Sequence, residues 1–316
     1  MERIALIGAG AIGRAWAIVF ARAGHRVALQ SRTQETLAVA REFISVSLQS
    51  LLEFELLEEK PEVIAARIEF FIGLESAVAG ATYVQENAPE HLENKKSLFS
   101  QLDQLVAPEI VIASSTSTLP ASQFAAHVTH RQRCLVAHPV NPPYLIPAVE
   151  IAPAPFTAAD AVTRATELLL SVGQAPILLK KEIPGFVMNR LQSLVACEAV
   201  RLIEDGYVDL EGLDRAMKDG LGLRWSFMGP LETLDLNAAG GFAAFAEVFA
   251  PIMHAIDASP EATPRAWSEE GIAHIDGARR AQIPLSQQTA RIQWRDRRLM
   301  ALIAHKRAIG NADRKT

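Results

Sequence analysis

Short runs of β-branched and other apolar residues alternate with longer amphipathic stretches through the first half of the chain. The runs fall at 4–7, 27–29, 68–72, 82–85, 110–113, 134–137, 149–151 and 177–179. Stretches of helical length separate many of them, at 11–23, 34–57, 92–106 and 158–172. This alternation predicts an α/β fold, a mostly parallel sheet with helices on both faces. It leaves the direction of the later strands open. After Lys180-Lys181-Glu182-Ile183-Pro184-Gly185 the texture changes. Apolar residues at 187, 191, 194, 195, 202 and 203 recur at helical spacing, and strand signals are scarce from there on. The boundary is therefore placed at Pro184, with a sheet domain over 1–184 and an all-helical domain over 185–316. Residues 311–316 read as a frayed polar tail.

Composition narrows the class without changing it. The 316 residues suffice for two domains, and 49% apolar with 21% charged residues is an ordinary globular balance. A net charge of −5 argues against nucleic acid as a partner, since phosphate binding needs a basic surface. The apolar run at 4–7 ends at Gly8, too early for a signal peptide, and no run reaches the ~18 apolar residues of a membrane span. Cys134 and Cys197 are too few for a disulfide framework and read as reduced, buried thiols. The expectation is a soluble, cytoplasmic protein with no membrane association.

Gly8-Ala9-Gly10-Ala11-Ile12-Gly13 matches the G-x-G-x-x-G pattern. Its context gives it weight: a strand run precedes it, an alanine-rich helix follows, and a second strand begins near Arg26. Gly8 permits the tight turn, Gly10 lets backbone approach a diphosphate, and Gly13 lets helix pack on strand. The N–H groups of Ala11 and Ile12 open the helix at the positive end of its dipole. The prediction is a Rossmann-type, dinucleotide-binding unit. At the end of the second strand, where an NAD-binding unit usually carries Asp or Glu, the chain reads Leu29-Gln30-Ser31-Arg32-Thr33. Ser31 is able to bond a ribose hydroxyl or a 2′-phosphate, and Arg32 offers a charge to that phosphate or a plane to adenine. NAD and NADP both fit this reading.

Hydroxyls in Ala113-Ser114-Ser115-Thr116-Ser117-Thr118 follow a strand, where ligands meet a parallel sheet; such runs are more often turns. Among eight histidines His138 stands out, because it ends an apolar run and enters the rigid loop Pro139-Val140-Asn141-Pro142-Pro143-Tyr144. Glu150 lies inside the next apolar run, where burial is costly without a partner. A His138/Glu150 pair would answer that cost and provide a general base. An exposed Glu150 with His138 bonded to backbone fits the residues equally well. His127 and His130 lie on a polar segment, and no histidine pair has the context of a metal site.

Taken with Glu86-Asn87-Ala88-Pro89-Glu90 and Gly185-Phe186-Val187-Met188-Asn189-Arg190, these motifs resemble the 3-hydroxyacyl-CoA dehydrogenase family. Gly220-Leu221-Gly222-Leu223-Arg224, Gly229-Pro230-Leu231-Glu232-Thr233 and Gln293-Trp294-Arg295-Asp296 are similar to its λ-crystallin branch. The resemblance implies His138 as general base, Glu150 as the acid that orients it, and Ser117 and Asn189 as groups on the substrate oxygen. It implies that Asn141 lies near the nicotinamide and that Glu90 and Lys95 contact the cofactor. Ser31 departs from the family's ribose-binding Asp, which opens the NAD preference to question.

The implied reaction is hydride transfer between a nicotinamide cofactor and the 3-hydroxyl of a small hydroxy acid of the L-gulonate kind. Arg224 is the candidate for the carboxylate of such an acid. The basic residues Arg291, Arg295, Arg297 and Arg298 read as a solvated face or a subunit contact. A 3-hydroxyacyl-CoA or carnitine dehydrogenase is the alternative, and a cofactor-binding crystallin without turnover is the rival from another class. The resemblance also implies a homodimer formed through the helical domain.

Overall fold

A computed structural model of the chain describes residues 1–239, 241–257 and 269–313. Eight strands among these residues form one sheet. They are β1 (Arg3–Ile7), β2 (Arg26–Gln30), β3 (Ile68–Phe71), β4 (Tyr83–Glu86), β5 (Val111–Ser114), β6 (Cys134–Pro139), β7 (Ala148–Pro153) and β8 (Ala175–Leu178). Their spatial order is β3-β2-β1-β4-β5-β6-β7-β8. All neighbouring pairs are parallel except β6 and β7, so the direction left open by the sequence reverses once, at β7. The inner strands are covered on both faces, which is why they read as unbroken apolar runs instead of alternating ones.

Helices close both faces. On one, α1 (Ala11–Arg22) is buried without a break from Ala15 to Ala21, which small alanine side chains allow. Beside it lies α2 (Gln34–Glu53), capped by the Thr33 hydroxyl accepting from the Thr36 N–H. The sequence pattern carries this helix to residue 57, but Glu55 takes a left-handed backbone (φ 55°) and ends it sooner. Ala159–Ser171 completes that layer, while Leu92–Leu105, here α3, packs on the opposite face around Phe99 and Phe124.

The chain divides into two compact units, residues 1–189 with everything from Arg291 onward, and residues 190–290. The last helix, Gln288–Asp313, thus belongs with the sheet, where the sequence reading had grouped it with the helical domain beyond Pro184. The reason is its apolar side: Met300 is 2% exposed in the core beside α1 and α2, with Leu299 and Ile303 packed against it. The Tyr144 hydroxyl donates to Asp296 at 3.1 Å, and Arg297 pairs with Glu53. Residues 311–313 continue the helix, and the remainder of the expected tail lies outside the described residues. The described residues of the second unit form helices joined by turns and no strand, with Leu210–Arg215, Pro230–Asp235 and Gly241–Asp257 among its elements. No helix among the described residues is long and apolar enough to cross a membrane.

Candidate active site

The glycine loop is shaped by contacts that forbid side chains. Gly8 has φ +103°, and its N–H donates to Gln30 O at 2.9 Å, stitching the loop to the end of β2. A Cβ at Gly8 would stand 2.7 Å from Asn87 O, and one at Gly13 only 1.8 Å from Gly8 O. A Cβ on Gly10 would meet nothing within 4 Å. Gly10 is the N-cap of α1, no side chain caps it, and the first turn holds no acid. An uncapped helix start beside open space suits a diphosphate, whose charge the dipole and free N–H groups of Ala11 and Ile12 favour. The residues therefore fit a dinucleotide. At the neighbouring strand end, Ser31 is buried with its N–H bonded to Phe71 O, and Arg32 is exposed.

The acid and base come together through strand register. His138 on β6 stands directly across from Glu150 on β7, and the His138 Nδ1 lies 2.8 Å from Glu150 Oε2. The other carboxylate oxygen accepts the N–H groups of Val187 at 2.7 Å and Met188 at 2.9 Å. Burial alone would raise the Glu150 pKa, but the hydrogen bonds from His138, Met188 and Val187 outweigh it and hold the carboxyl below its usual value. An anionic carboxylate only accepts, so Nδ1 is the donor and Nε2 is left with its lone pair free. Phe186, fully buried, lies against the imidazole with ring centroids 5.3 Å apart.

That support comes from one turn. Gly185 (φ 74°) and Phe186 (φ 51°) both adopt left-handed backbone before the helix Met188–Glu204, here α4, begins. The helical spacing in the sequence starts at 187, and after the turn the helix itself begins at Met188. The turn aims the first N–H groups at Glu150 and places Asn189, whose Nδ2 donates to Ser117 O at 2.8 Å. Ser117, Asn189, His138 and Glu150 are thus linked within the first unit.

Glu90 organises the Ser117 loop. Its Oε1 accepts from the Ser117 and Thr118 N–H groups at 3.1 and 3.0 Å and from the hydroxyls of Thr116 and Thr118. Burial would raise its pKa, yet the Thr116 hydroxyl, the Lys95 charge and the Thr118 bonds leave it lowered. Lys95, expected from the resemblance at the cofactor, is 1% exposed. Its ammonium is held by both oxygens of the fully buried Glu86, with Glu90 at 3.6 Å. Enclosed this way, it acts on the loop through its two carboxylates. Asn141 is exposed at the turn after β6. Arg224 lies in the second unit, exposed on the short helix Gly222–Trp225. His130 bonds Asp103 and His127 bonds Ser100, so both have structural partners. Cys134 is buried, with its thiol pushed up to about 12, and Cys197 is half-buried; both are free.

A polar network beneath the site escaped the sequence reading. Ser115 Oγ donates to Asn87 Oδ1 at 2.8 Å while accepting from Trp16 Nε1 and Gln85 Nε2, and Gln85 also donates to Ala137 O. It joins α1, β4, β5 and β6, with Ala137 next to His138. An apolar-looking strand holding Gln85 and Glu86 was the available signal, since buried polar groups require partners.

Two family models divide the chain between them. The NAD binding domain of 3-hydroxyacyl-CoA dehydrogenase matches residues 3–183, and the C-terminal domain of the same enzyme matches 185–270. The chain belongs to the 3-hydroxyacyl-CoA dehydrogenase family. A λ-crystallin homolog of Homo sapiens is 38% identical over 95% of this chain and 94% of its own length. The L-carnitine dehydrogenase of Streptomyces coelicolor is 36% identical over 79% of this chain and 78% of its own. Among solved structures, 5-formyl-3-hydroxy-2-methylpyridine 4-carboxylic acid 5-dehydrogenase, an NAD+-dependent dismutase, superposes with a TM-score of 0.82 at 28% identity, covering 96% of this chain and 99% of that one. In family terms residues 3–183 are the NAD binding domain.

Proposed function

We propose that this chain oxidises the 3-hydroxyl of a small hydroxy acid of the L-gulonate kind, with His138 as general base. The observation that carries the reading is the 2.8 Å bond from His138 Nδ1 to a Glu150 already held by two backbone N–H groups. It leaves Nε2 as the one ring nitrogen able to take the substrate proton. Glu150 then stabilises the imidazolium, as a buried carboxylate does in other acid–base pairs. Asn189 keeps its second amide hydrogen beyond the one given to Ser117 O, and the Ser117 hydroxyl has no partner among the described residues. These two donors would hold the oxygen as it becomes a carbonyl. A bound nicotinamide supplies the hydride acceptor. The loop from Gly8 to Gly13 would hold its diphosphate, and Ser31 with Arg32 would meet the adenosine ribose of NAD or NADP.

The free acid, in preference to a CoA thioester, is proposed from the λ-crystallin likeness. A second copy of the chain is the proposed partner: Leu194 on α4 and Val248, Ile252 and Ile256 on Gly241–Asp257 are each at least half exposed, an apolar surface that suits pairing.

The test is reduction of cofactor by purified protein with L-gulonate, 3-hydroxybutyrate, carnitine or 3-hydroxybutyryl-CoA. Turnover of L-gulonate that falls by about 10²–10⁴-fold in His138→Ala, with dinucleotide binding retained, supports the reading. Preference for carnitine or the thioester reassigns the substrate. No turnover of any alcohol returns the chain to the crystallin-like alternative.

A further inference from the structure

We infer that the adenosine end of this site selects NADP over NAD, reading the 2′-phosphate with Ser31 and Arg32. The inference rests on the dinucleotide reading above and deepens it. NAD-binding units usually place a carboxylate at the end of the second strand to accept from the ribose hydroxyls, and that carboxylate repels a 2′-phosphate. Here β2 ends at Gln30, level with Ile7 on β1, and Gly8 N–H is bonded to Gln30 O. The residues just beyond Gln30 are therefore the ones beside the diphosphate loop, where a ribose must lie.

No residue from Gln30 to Thr33 carries a carboxylate. The Gln30 side chain is buried and uncharged, its Nε2 donating to Ile72 O at 2.9 Å. Thr33 is spent as the cap of α2. Ser31 remains, with its N–H taken by Phe71 O and its hydroxyl without a partner among the described residues. Arg32 follows, exposed and without an ion pair there; Glu35, the acid in the first turn of α2, makes none with it. Ser31 and Arg32 together offer one hydroxyl donor, one free guanidinium and the N-terminal end of a 20-residue helix. A phosphate with nearly two negative charges uses all three, whereas a bare 2′-hydroxyl finds no carboxylate to accept its proton. The guanidinium fork suits a phosphate bidentately, and its exposure keeps its desolvation cost small.

Isothermal titration of the full chain with NADPH, NADH, 2′,5′-ADP and 5′-AMP tests this without relying on turnover. NADPH should bind at least about tenfold more tightly than NADH, and 2′,5′-ADP more tightly than 5′-AMP, with the gap shrinking as salt rises. Arg32→Gln, on the surface, should close most of that gap, and Ser31→Asp should reverse it. Equal or tighter binding of NADH by the unaltered chain overturns the inference and leaves the dehydrogenase reading standing. A gap that survives Arg32→Gln in a folded variant overturns the assignment to these residues. Failure to bind either dinucleotide overturns the cofactor reading itself, and this inference with it.

Discussion

Glu150 shows how a single carboxylate is tuned by what surrounds it. Its pKa is lowered, so its bonds stabilise the fold above the ordinary glutamate value of about 4.3 and are lost as pH falls through the lowered one. Glu150→Gln should therefore be less stable than the unaltered chain near neutrality. The difference between the two should narrow once pH drops below about 4.3, in urea unfolding followed across pH. A constant difference would mean that Glu150 is not ionised in the fold. Lys95 and Glu86 make the opposite kind of pair, both at most 1% exposed. Lys95→Met leaves a buried carboxylate without its counter-charge and should cost about 3–5 kcal/mol. Adding Glu86→Gln should return part of that loss, measured as the shift in urea midpoint. Ser114, which donates to Glu86 at 2.5 Å, bears on the same charge.

Elements explain which of these residues the sequence made visible. All eight strands overlap apolar runs, and the inner ones leave a continuous hydrophobic trace because they are covered on both faces. The glycine loop was legible because its sequence signal is local: strand, turn and helix follow within a few residues. His138 and Glu150 were legible as an oddity, a histidine and an acid in apolar company, while their pairing depends on the antiparallel register of β6 and β7. The turn at Gly185 and Phe186 was legible as a break but not as a device, since positive φ at Phe186 leaves no trace in composition. Lys95 shows the same limit, because its burial depends on Glu86, a partner nine residues away that turns inward only in the fold. The loop itself makes a contrast to test. Gly13→Ala should lower the melting temperature and abolish dinucleotide binding, its Cβ falling 1.8 Å from Gly8 O. Gly10→Ala should melt like the unaltered chain yet lose binding, because its Cβ points into the space a diphosphate needs. Calorimetric melting and titration with NADH and NADPH distinguish the two.

At the scale of the molecule, the division of labour follows where apolar surface is covered. The sheet unit encloses its own core, and the last helix contributes Met300 to it. The periodic apolar face of α4 leaves Leu191 and Leu194 57% and 71% exposed. A second copy of the chain would cover such a face. Leu194→Glu with Ile252→Glu should shift sedimentation from dimer to monomer, and a monomer in the unaltered chain would remove the proposed partner. Arg291 and Arg298 stack on Trp294, Arg295 pairs with Asp296 and Arg297 with Glu53, so the basic end of the last helix is largely engaged within its own unit.

The reversal of the sheet at β7 carries one more implication. Acid and base are cross-strand neighbours in a ladder, so their spacing is set by backbone pairing and not by the eight residues that join Pro139 to Ala148. The connecting loop is free to lengthen, shorten or change composition while the proton machinery stays assembled. A lineage could thus retool what the loop meets, trading one alcohol for another, without having to reinvent the chemistry each time.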